Sequence, residues 1–306
     1  MTSTRSAGAD SVARGTRRLL IAGGEADPSL PALAAAAQRL GVEPVMICHG
    51  AEGEPEAAWD LSSDRFEIGG AEIAVDGVFL RYDVFGGPAV PGSPDRAGAW
   101  YALIQGWASA HPAIRQFNHA LNAHAGVKPA ELMLARHLGL EIPRTLITNA
   151  LDRAGAFAEA AIAKPVGGGS YVRRLDRVLA EFSDDAHRAP LPAIVQERLE
   201  YPEYRVFLIK GERHVFSIRS EHLDYRPHRD NRMEYLGAAP QLGPTLAQLQ
   251  ALADLLGCDF CACDLKTRAG SEVPIFLEIN TGPMFAAYDR CAGGLLCEAM
   301  VRALTG

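Results

Sequence analysis

The 306-residue sequence lacks long apolar runs, an excess of basic residues and the common glycine-rich nucleotide motifs. No apolar run approaches the roughly 18 residues that a membrane-spanning helix needs, so we expect no membrane partner. The 30 basic residues are outnumbered by 37 acidic ones, and the net charge of −7 argues against nucleic-acid binding. The sequence contains no G-x-x-x-x-G-K-[ST] motif, and Gly23-Gly24-Glu25-Ala26 does not supply G-x-G-x-x-G.

Cysteine is scarce, and its spacing argues against a zinc site. The six cysteines are Cys48, Cys258, Cys261, Cys263, Cys291 and Cys297. Cys258-x-x-Cys261-x-Cys263 raises the possibility of metal binding, but no second Cys or His pair stands at zinc spacing. We therefore expect buried, reduced thiols on a strand in a reducing, cytoplasmic compartment, with zinc as the alternative.

The composition is that of an ordinary globular protein, with 48% hydrophobic and 22% charged residues. Its length predicts two domains or one large one. The first 16 residues are rich in Ser, Ala and Arg, and no apolar segment follows them, so we expect no secretory signal. We predict a disordered tail over residues 1–16, with an organellar transit peptide as the alternative.

The periodicity of apolar residues predicts an α/β (α+β) fold with two different halves. The first half begins with a β-α-β pattern, which indicates an open α/β sheet. We predict strands at 18–23, 44–48 and 77–81, and helices at 30–40 and 97–110. From residue 128 onward we predict helices at 129–138, 154–161 and 246–256, the last capped by Thr245, and strands at 142–148, 161–164 and 193–197. Two hairpins follow the same reasoning, 204–210 with 214–220 and 260–266 with 275–280.

A lysine next to a glycine cluster forms the first candidate site. Lys164 ends a predicted strand and precedes Gly167, Gly168, Gly169 and Ser170. Bare glycine N–H groups beside a cation suit phosphate oxygens. The alternative is a surface loop with a solvated lysine.

A second candidate site is a pair of acids in the last hairpin. If the turn centres near Ser271, Asp264 lies opposite Glu278, and Asn280 shares a face with Glu278. Facing carboxylates repel unless a hard cation lies between them, and oxygen ligands favour magnesium. The alternative is two solvated acids.

The preceding hairpin carries arginines, and the strand before it has a polar end. A turn centred near Glu212 would make Arg205 and Arg219 cross-strand neighbours that share an anion, with Arg226 close behind. The alternative is a solvated basic loop.

The segment 196–200 could offer its backbone to a purine edge, but an ordinary strand end explains it as well.

The order of these motifs resembles the ATP-grasp superfamily, especially its ribosomal-protein glutamate ligases and peptide-modifying ligases. The resemblance spans residues 118–289, and its most specific parts are Ala163-Lys-Pro-Val-Gly167 and Leu277-Glu-Ile-Asn280 after Asp264. It implies an N-terminal α/β domain (17–117) and an ATP-grasp domain (118–306). The latter would comprise two α+β subdomains, 118–195 and 196–306, that grip ATP.

The resemblance also implies roles for individual residues. The phosphates of ATP would be held by Lys128, Lys164 and the loop of Gly167, Gly168, Gly169 and Ser170. Adenine would be held by Gln196, Glu197 and the backbone at Leu199, and the ribose by Glu203. Two magnesium ions, with manganese as a substitute, would be held by Asp264, Glu278 and Asn280. Arg205 and Arg219 would lie near the transferring phosphoryl group, and Arg226 would reach the substrate carboxylate.

Two features depart from the family pattern. The glycine loop is shorter than usual, and Asn280 is followed by Thr281-Gly-Pro-Met284.

The resemblance implies an ATP-dependent carboxylate–amine ligase that works through an acyl phosphate on a small-molecule or peptide carboxylate and an amine. A homodimer is possible by analogy. The alternatives are an ATP-grasp kinase and a non-catalytic ATP-binding module.

Overall fold

The computed structural model describes residues 16–50, 54–85, 93–157, 160–167, 171–183, 186–223, 231–239 and 242–306. The chain divides into two units. One consists of the residues up to Gln116 together with Leu304–Gly306, and the other is Phe117–Ala303. Except for its last residue, the predicted tail lies outside the described residues. No helix among the described residues has both the length and the apolarity to cross a membrane.

The first unit is built on a four-stranded parallel sheet of order β2-β1-β6-β7. Its elements are β1 (Arg18–Gly24), α1 (Ser29–Arg39), β2 (Glu43–His49), β3 (Ala57–Asp60), β4 (Arg65–Ile68), β5 (Ala71–Glu72), β6 (Gly77–Leu80), α2 (Ser93–Ala110) and β7 (Arg115–Gln116). Strands β3, β4 and β5 form a separate small antiparallel sheet. The core of the first unit contains Leu20, Ile47, Phe66 and Trp107. The predicted β-α-β beginning is confirmed.

The second unit contains two antiparallel sheets with helices. Its elements are α3 (Lys128–His137), β8 (Thr145–Ala150), α4 (Leu151–Gly155), β9 (Ala161–Pro165), β10 (Arg173–Arg174), α5 (Leu175–Leu179), β11 (Arg188–Glu197), β12 (Glu200–Ile209), β13 (Glu212–Arg219), β14 (Arg232–Gly237), α6 (Gly243–Leu256), β15 (Phe260–Thr267), β16 (Ile275–Asn280), α7 (Ala286–Cys291) and α8 (Leu295–Thr305). The sheet orders are β10-β9-β11-β8 and β14-β13-β12-β15-β16.

The four-stranded sheet of this unit has a small core on one face and Lys164 on the other. Ala163 and Val195 face a small core that contains Phe157. Lys164 is paired with Ile194, and the opposite face therefore carries Lys164 and Gln196.

Both faces of the five-stranded sheet carry buried residues. On one face, Val206 of β12 and Cys263 of β15 pack with Leu249 and Leu252 of α6 in a core cluster. On the other face, the ring of Phe207 packs against Tyr288 of α7. Because side chains alternate along a strand, Arg205 and Asp264 project from this other face. The thiols of Cys258, Cys261 and Cys263 are buried and free, as predicted.

Several predicted boundaries are wrong, among them three in the second unit. Helix α6 begins at Gly243, with Leu242 at the N-cap position and no side-chain cap, because Pro244 is preorganised to start a helix. Thr245 therefore lies inside the helix. Strand β8 begins three residues later than predicted, since Pro143 has no N–H for the ladder. The helix predicted at 154–161 is α4, which ends at Gly155.

Candidate active site

The candidate site lies on the face of the five-stranded sheet opposite the α6 core, where three strands place charged residues side by side. Arg205 of β12 is paired with Asp264 of β15, and Asp264 is paired with Glu278 of β16. The predicted facing of the two acids is confirmed. A bulge follows this pair, so that Leu265 is opposite Phe276. The bulge puts Phe276 in the core while Glu278 projects into the site.

Asn280 completes a set of oxygen-bearing side chains. Its Nδ2 donates to Asp264 Oδ2 at 3.2 Å and lies 3.5 Å from Glu278 Oε1. Two carboxylates and a side-chain amide are the ligands that magnesium prefers, so these residues fit that ion. The part of the chain that the structure describes contains no group of three or more His, Cys, Asp and Glu side chains that could hold a metal, and this site supplies two such side chains together with the amide.

Two lysines compensate the charge of Glu278. Lys128, the first residue of α3, places its Nζ 2.8 Å from Glu278 Oε2. Burial raises the pKa of Glu278, but the charges of Lys128 and Lys164 and hydrogen bonds from Lys128 and Asn280 outweigh it, so the pKa is lowered overall. The carboxylate is therefore ionised at neutral pH, as a metal ligand must be.

Arg205 is held firmly beside Asp264. Its Nη1 lies 3.2 Å from Asp264 Oδ1 and 3.3 Å from Oδ2. The guanidinium also lies over the rings of Tyr288 and Phe207, at 5.2 and 5.6 Å from their centroids. These cation–π contacts fix the orientation of a group that is only 12% exposed.

The predicted pairing of Arg205 with Arg219 is wrong. Arg205 is opposite Phe216, and Arg219 is opposite Arg232. The turn consists of Lys210 and Gly211, both with positive φ, and so lies earlier than the predicted centre at Glu212. The register moves by three residues, an odd number, which places Arg219 on the face opposite Arg205. Arg226 lies outside the described residues.

The residues predicted to contact adenine have mixed surroundings. Gln196 is fully buried and its Nε2 donates to Thr145 Oγ1 at 2.9 Å. The Glu197 carboxylate accepts from the backbone N–H of Arg144 and from Arg268 Nη2, each at 2.8 Å. Leu199 is buried. The Glu197 side chain therefore links β11 to the segments that contain Arg144 and Arg268, and its backbone N–H also donates to Arg144 O at 3.0 Å.

The predicted phosphate loop is only partly described. Gly167 follows β9, and a Cβ built there meets no atom within 4 Å, so the backbone is open to close approach. Gly168, Gly169 and Ser170 lie outside the described residues. The structure brings the charge of Lys164 close to Glu278.

Sequence reasoning missed Lys266 as a partner of the predicted ribose ligand. Lys266 Nζ lies 3.4 Å from the buried Glu203 Oε2 and 4.1 Å from the centroid of the Tyr201 ring. Its position two residues after Asp264 on one strand was the available signal, because such residues share a face.

Glu131 is a second residue that sequence reasoning missed. It is buried in α3, and its Oε1 accepts the Gly126 N–H at 2.7 Å. Burial raises the pKa of Glu131 to about 7, with the charge of Glu278 acting in the same direction and the Gly126 hydrogen bond and Lys128 opposing it. An acid in the first turn of a helix is common, so nothing in the sequence marks it.

Comparison with known proteins places the fold. No protein-family model and no curated protein matches the sequence. The ATP-grasp ligase PsnB, solved with a minimal precursor, is 22% identical, with a TM-score of 0.69 over 94% of this chain and 98% of that one. The macrocyclase MdnC from Microcystis aeruginosa MRC, bound to precursor peptide MdnA, is 19% identical, with a TM-score of 0.72 and coverages of 94% and 99%.

A third structure agrees with these two. The RiPP-associated ATP-grasp ligase of Chryseobacterium gregarium, in complex with ADP and a leader and core peptide, is 17% identical, with a TM-score of 0.69 and coverages of 94% and 96%. This chain therefore has the ATP-grasp fold, and the resemblance predicted from its motifs is confirmed.

Proposed function

We propose that the chain is an ATP-dependent carboxylate–amine ligase that forms an amide bond through an acyl phosphate and releases ADP and phosphate. The observation that carries the proposal is one sheet face on which Asp264, Glu278 and Asn280 converge, with Lys128 and Arg205 beside the two acids. This arrangement occurs in an ATP-grasp fold.

The site residues fit the requirements of phosphoryl transfer. Asp264, Glu278 and Asn280 would hold two magnesium ions, which when bound neutralise and orient the triphosphate. PsnB has been solved with Mg and ADP, which supports this assignment. Lys128 and Lys164 would contact the phosphates together with residues 167–170.

Arg205 is suited to the charge that develops during transfer. Its guanidinium is held by Asp264 and two aromatic rings, so little reorganisation would be needed when the phosphoryl group moves. Arg219 has no part in this proposal because it projects from the other side of the sheet. Arg226 would bind the substrate carboxylate through its planar fork.

We further propose a peptide as the carboxylate substrate. PsnB and MdnC were solved with precursor peptides, and the Chryseobacterium gregarium ligase was solved with a leader and a core peptide. A peptide-modifying ligase is also the branch that the motifs resemble. The remaining nucleotide contacts would come from Gln196, the backbone at Glu197 and Leu199, and Glu203.

Trapping of an activated acid tests the function. The purified chain is incubated with MgATP, hydroxylamine as the amine, and a panel of peptides carrying Asp, Glu or C-terminal carboxylates. We expect ADP release that depends on both a peptide and hydroxylamine, with a hydroxamate as the product. A stable phosphorylated peptide without hydroxamate would identify a kinase, and nucleotide binding without any turnover would identify a binding module.

A further inference from the structure

The two acids of the site are neutralised by basic side chains that differ in their freedom to move. Arg205 is 12% exposed, contacts both oxygens of Asp264 and lies over two aromatic rings. Withdrawing it would break all of these contacts at once. Arg205 is therefore a fixed partner of Asp264.

Lys128 is held by much less. Its side chain is 25% exposed, and its ammonium group lies 2.8 Å from Glu278 Oε2. Lysine is a compact charge on a flexible four-carbon stem, unlike the planar and stacked guanidinium of Arg205. It lies at the first residue of α3, so the helix behind it need not move when the stem changes rotamer.

A lysine at this position competes directly with a metal ion. An ammonium group and a divalent cation on the same carboxylate repel each other. The flexible stem of Lys128 lets its ammonium leave Glu278 when a metal arrives, and the negative phosphates of a nucleotide would attract it. Arg205 meets the same repulsion at Asp264, but its contacts with two aromatic rings keep it in place.

We propose that Lys128 is an exchangeable cation that neutralises Glu278 in the metal-free chain and moves to the nucleotide phosphates when magnesium binds. Arg205 stays with Asp264 throughout. The inference rests on the proposed function for the nature of the ligand, and it adds that Lys128 opposes metal binding and favours nucleotide binding.

Opposite effects of one substitution test this exchange. Binding of Mn²⁺ without nucleotide is followed by the electron paramagnetic resonance signal of the free ion, and binding of MgADP by calorimetry. Removing the competing charge in Lys128→Met should tighten Mn²⁺ binding at least about threefold, and should weaken MgADP binding by a similar factor.

Two control variants separate charge from folding. Lys210→Met removes a lysine that is 39% exposed and lies 3.5 Å from Asp259, and it should change neither affinity. Lys128→Arg keeps a cation beside Glu278 and should keep Mn²⁺ binding as weak as in the wild type. Thermal melting of each variant checks that it is folded.

The outcomes distinguish this inference from the proposed function. If the wild type binds MgADP but Lys128→Met binds Mn²⁺ no more tightly than the wild type, or not at all, the exchange is overturned and the function is not. If the wild type binds no nucleotide, the proposed function fails, and tighter Mn²⁺ binding by Lys128→Met would still support the competition at Glu278.

Discussion

At Glu278, burial and charge act on the same carboxylate in opposite directions. Burial raises its pKa, whereas Lys128, Lys164 and the hydrogen bonds from Lys128 and Asn280 lower it, and the second group prevails. The ionised form is therefore maintained by residues from three separate segments. A carboxylate kept ionised in this way is available to a metal ion.

Replacing Glu278 by glutamine tests its proposed role in turnover. Glu278→Gln keeps the volume and removes the charge, so we expect ADP release to fall by at least about 100-fold, which corresponds to ~2.7 kcal/mol. The melting temperature should change by only a few degrees. Asp254→Asn, an exposed acid on α6, is the matched control and should retain activity. Unchanged ADP release in Glu278→Gln would remove this residue from the metal site.

Lys164 is expected to serve the nucleotide rather than the fold. It shares a sheet face with Gln196 and with its cross-strand partner Ile194, and it lies close enough to Glu278 to lower the pKa of that residue. Lys164→Ala should weaken nucleotide affinity or turnover about tenfold, or ~1.4 kcal/mol. Titration with a fluorescent ATP analogue measures the affinity, with Lys210→Ala as the control. If affinity and rate both survive, the alternative of a solvated loop lysine is correct.

Glu131 predicts a pH dependence of stability. Its pKa is raised to about 7, so the folded state binds a proton that the unfolded state releases at lower pH. Stability is therefore lost as the pH rises towards 7, and the penalty is complete above that value. Urea unfolding should show Glu131→Gln gaining at least about 1 kcal/mol over the wild type between pH 4.5 and pH 8. The exposed Glu272→Gln is the control, and equal gains in both variants would contradict this assignment.

Among the elements, one β-bulge and one β-turn determine which side chains face the site. The bulge after Asp264 lets Phe276 enter the core while Glu278 leaves it. The turn of Lys210 and Gly211 sets the register of β12 with β13. Each device moves a charged side chain to one face of the sheet or the other.

The turn can be tested through its glycine. Gly211 has φ of +89°, a conformation that a side chain disfavours, although no atom lies within 4 Å of a built Cβ. Gly211→Ala should therefore destabilise the protein by about 1 kcal/mol through backbone strain alone. Gly282→Ala, equally open but without positive φ, should be neutral in the same urea titration. Equal stability of the two variants would contradict the turn assignment.

The same two hairpins show where sequence reasoning succeeds and fails. The facing of Asp264 and Glu278 followed from a turn placed near Ser271, and the bulge after Asp264 makes that centre correct for this pair. The partner of Arg205 could not be predicted in this way, because Lys210-Gly211-Glu212 allows more than one turn position. The observed turn centre lies between Lys210 and Gly211, before the predicted centre at Glu212, so the cross-strand partner of Arg205 changes from Arg219 to Phe216. This change of three positions is odd, and an odd change moves a side chain to the other face of the sheet.

At the scale of the whole molecule, the order of motifs was enough to predict the ATP-grasp fold. Lys164, Asp264 and Glu278 occur in the expected order with recognisable neighbours. Short strands such as β3, β5 and β10 escaped prediction because strands of two to four residues show no periodicity. The ion pair of Lys128 with Glu278 joins residues 150 positions apart, and no local pattern announces such a contact.

In the proposed reaction, a substrate carboxylate attacks the γ-phosphate of ATP, and an amine then displaces phosphate from the acyl phosphate. The most direct measurement uses a peptide substrate whose carboxylate oxygens are both ¹⁸O, with mass analysis of the released phosphate. The carboxylate oxygen that bonds to phosphorus leaves with the phosphate. We therefore expect one ¹⁸O in each released phosphate and one ¹⁸O retained in the amide product. Phosphate without ¹⁸O, released while the peptide keeps both labelled oxygens, would contradict this reaction.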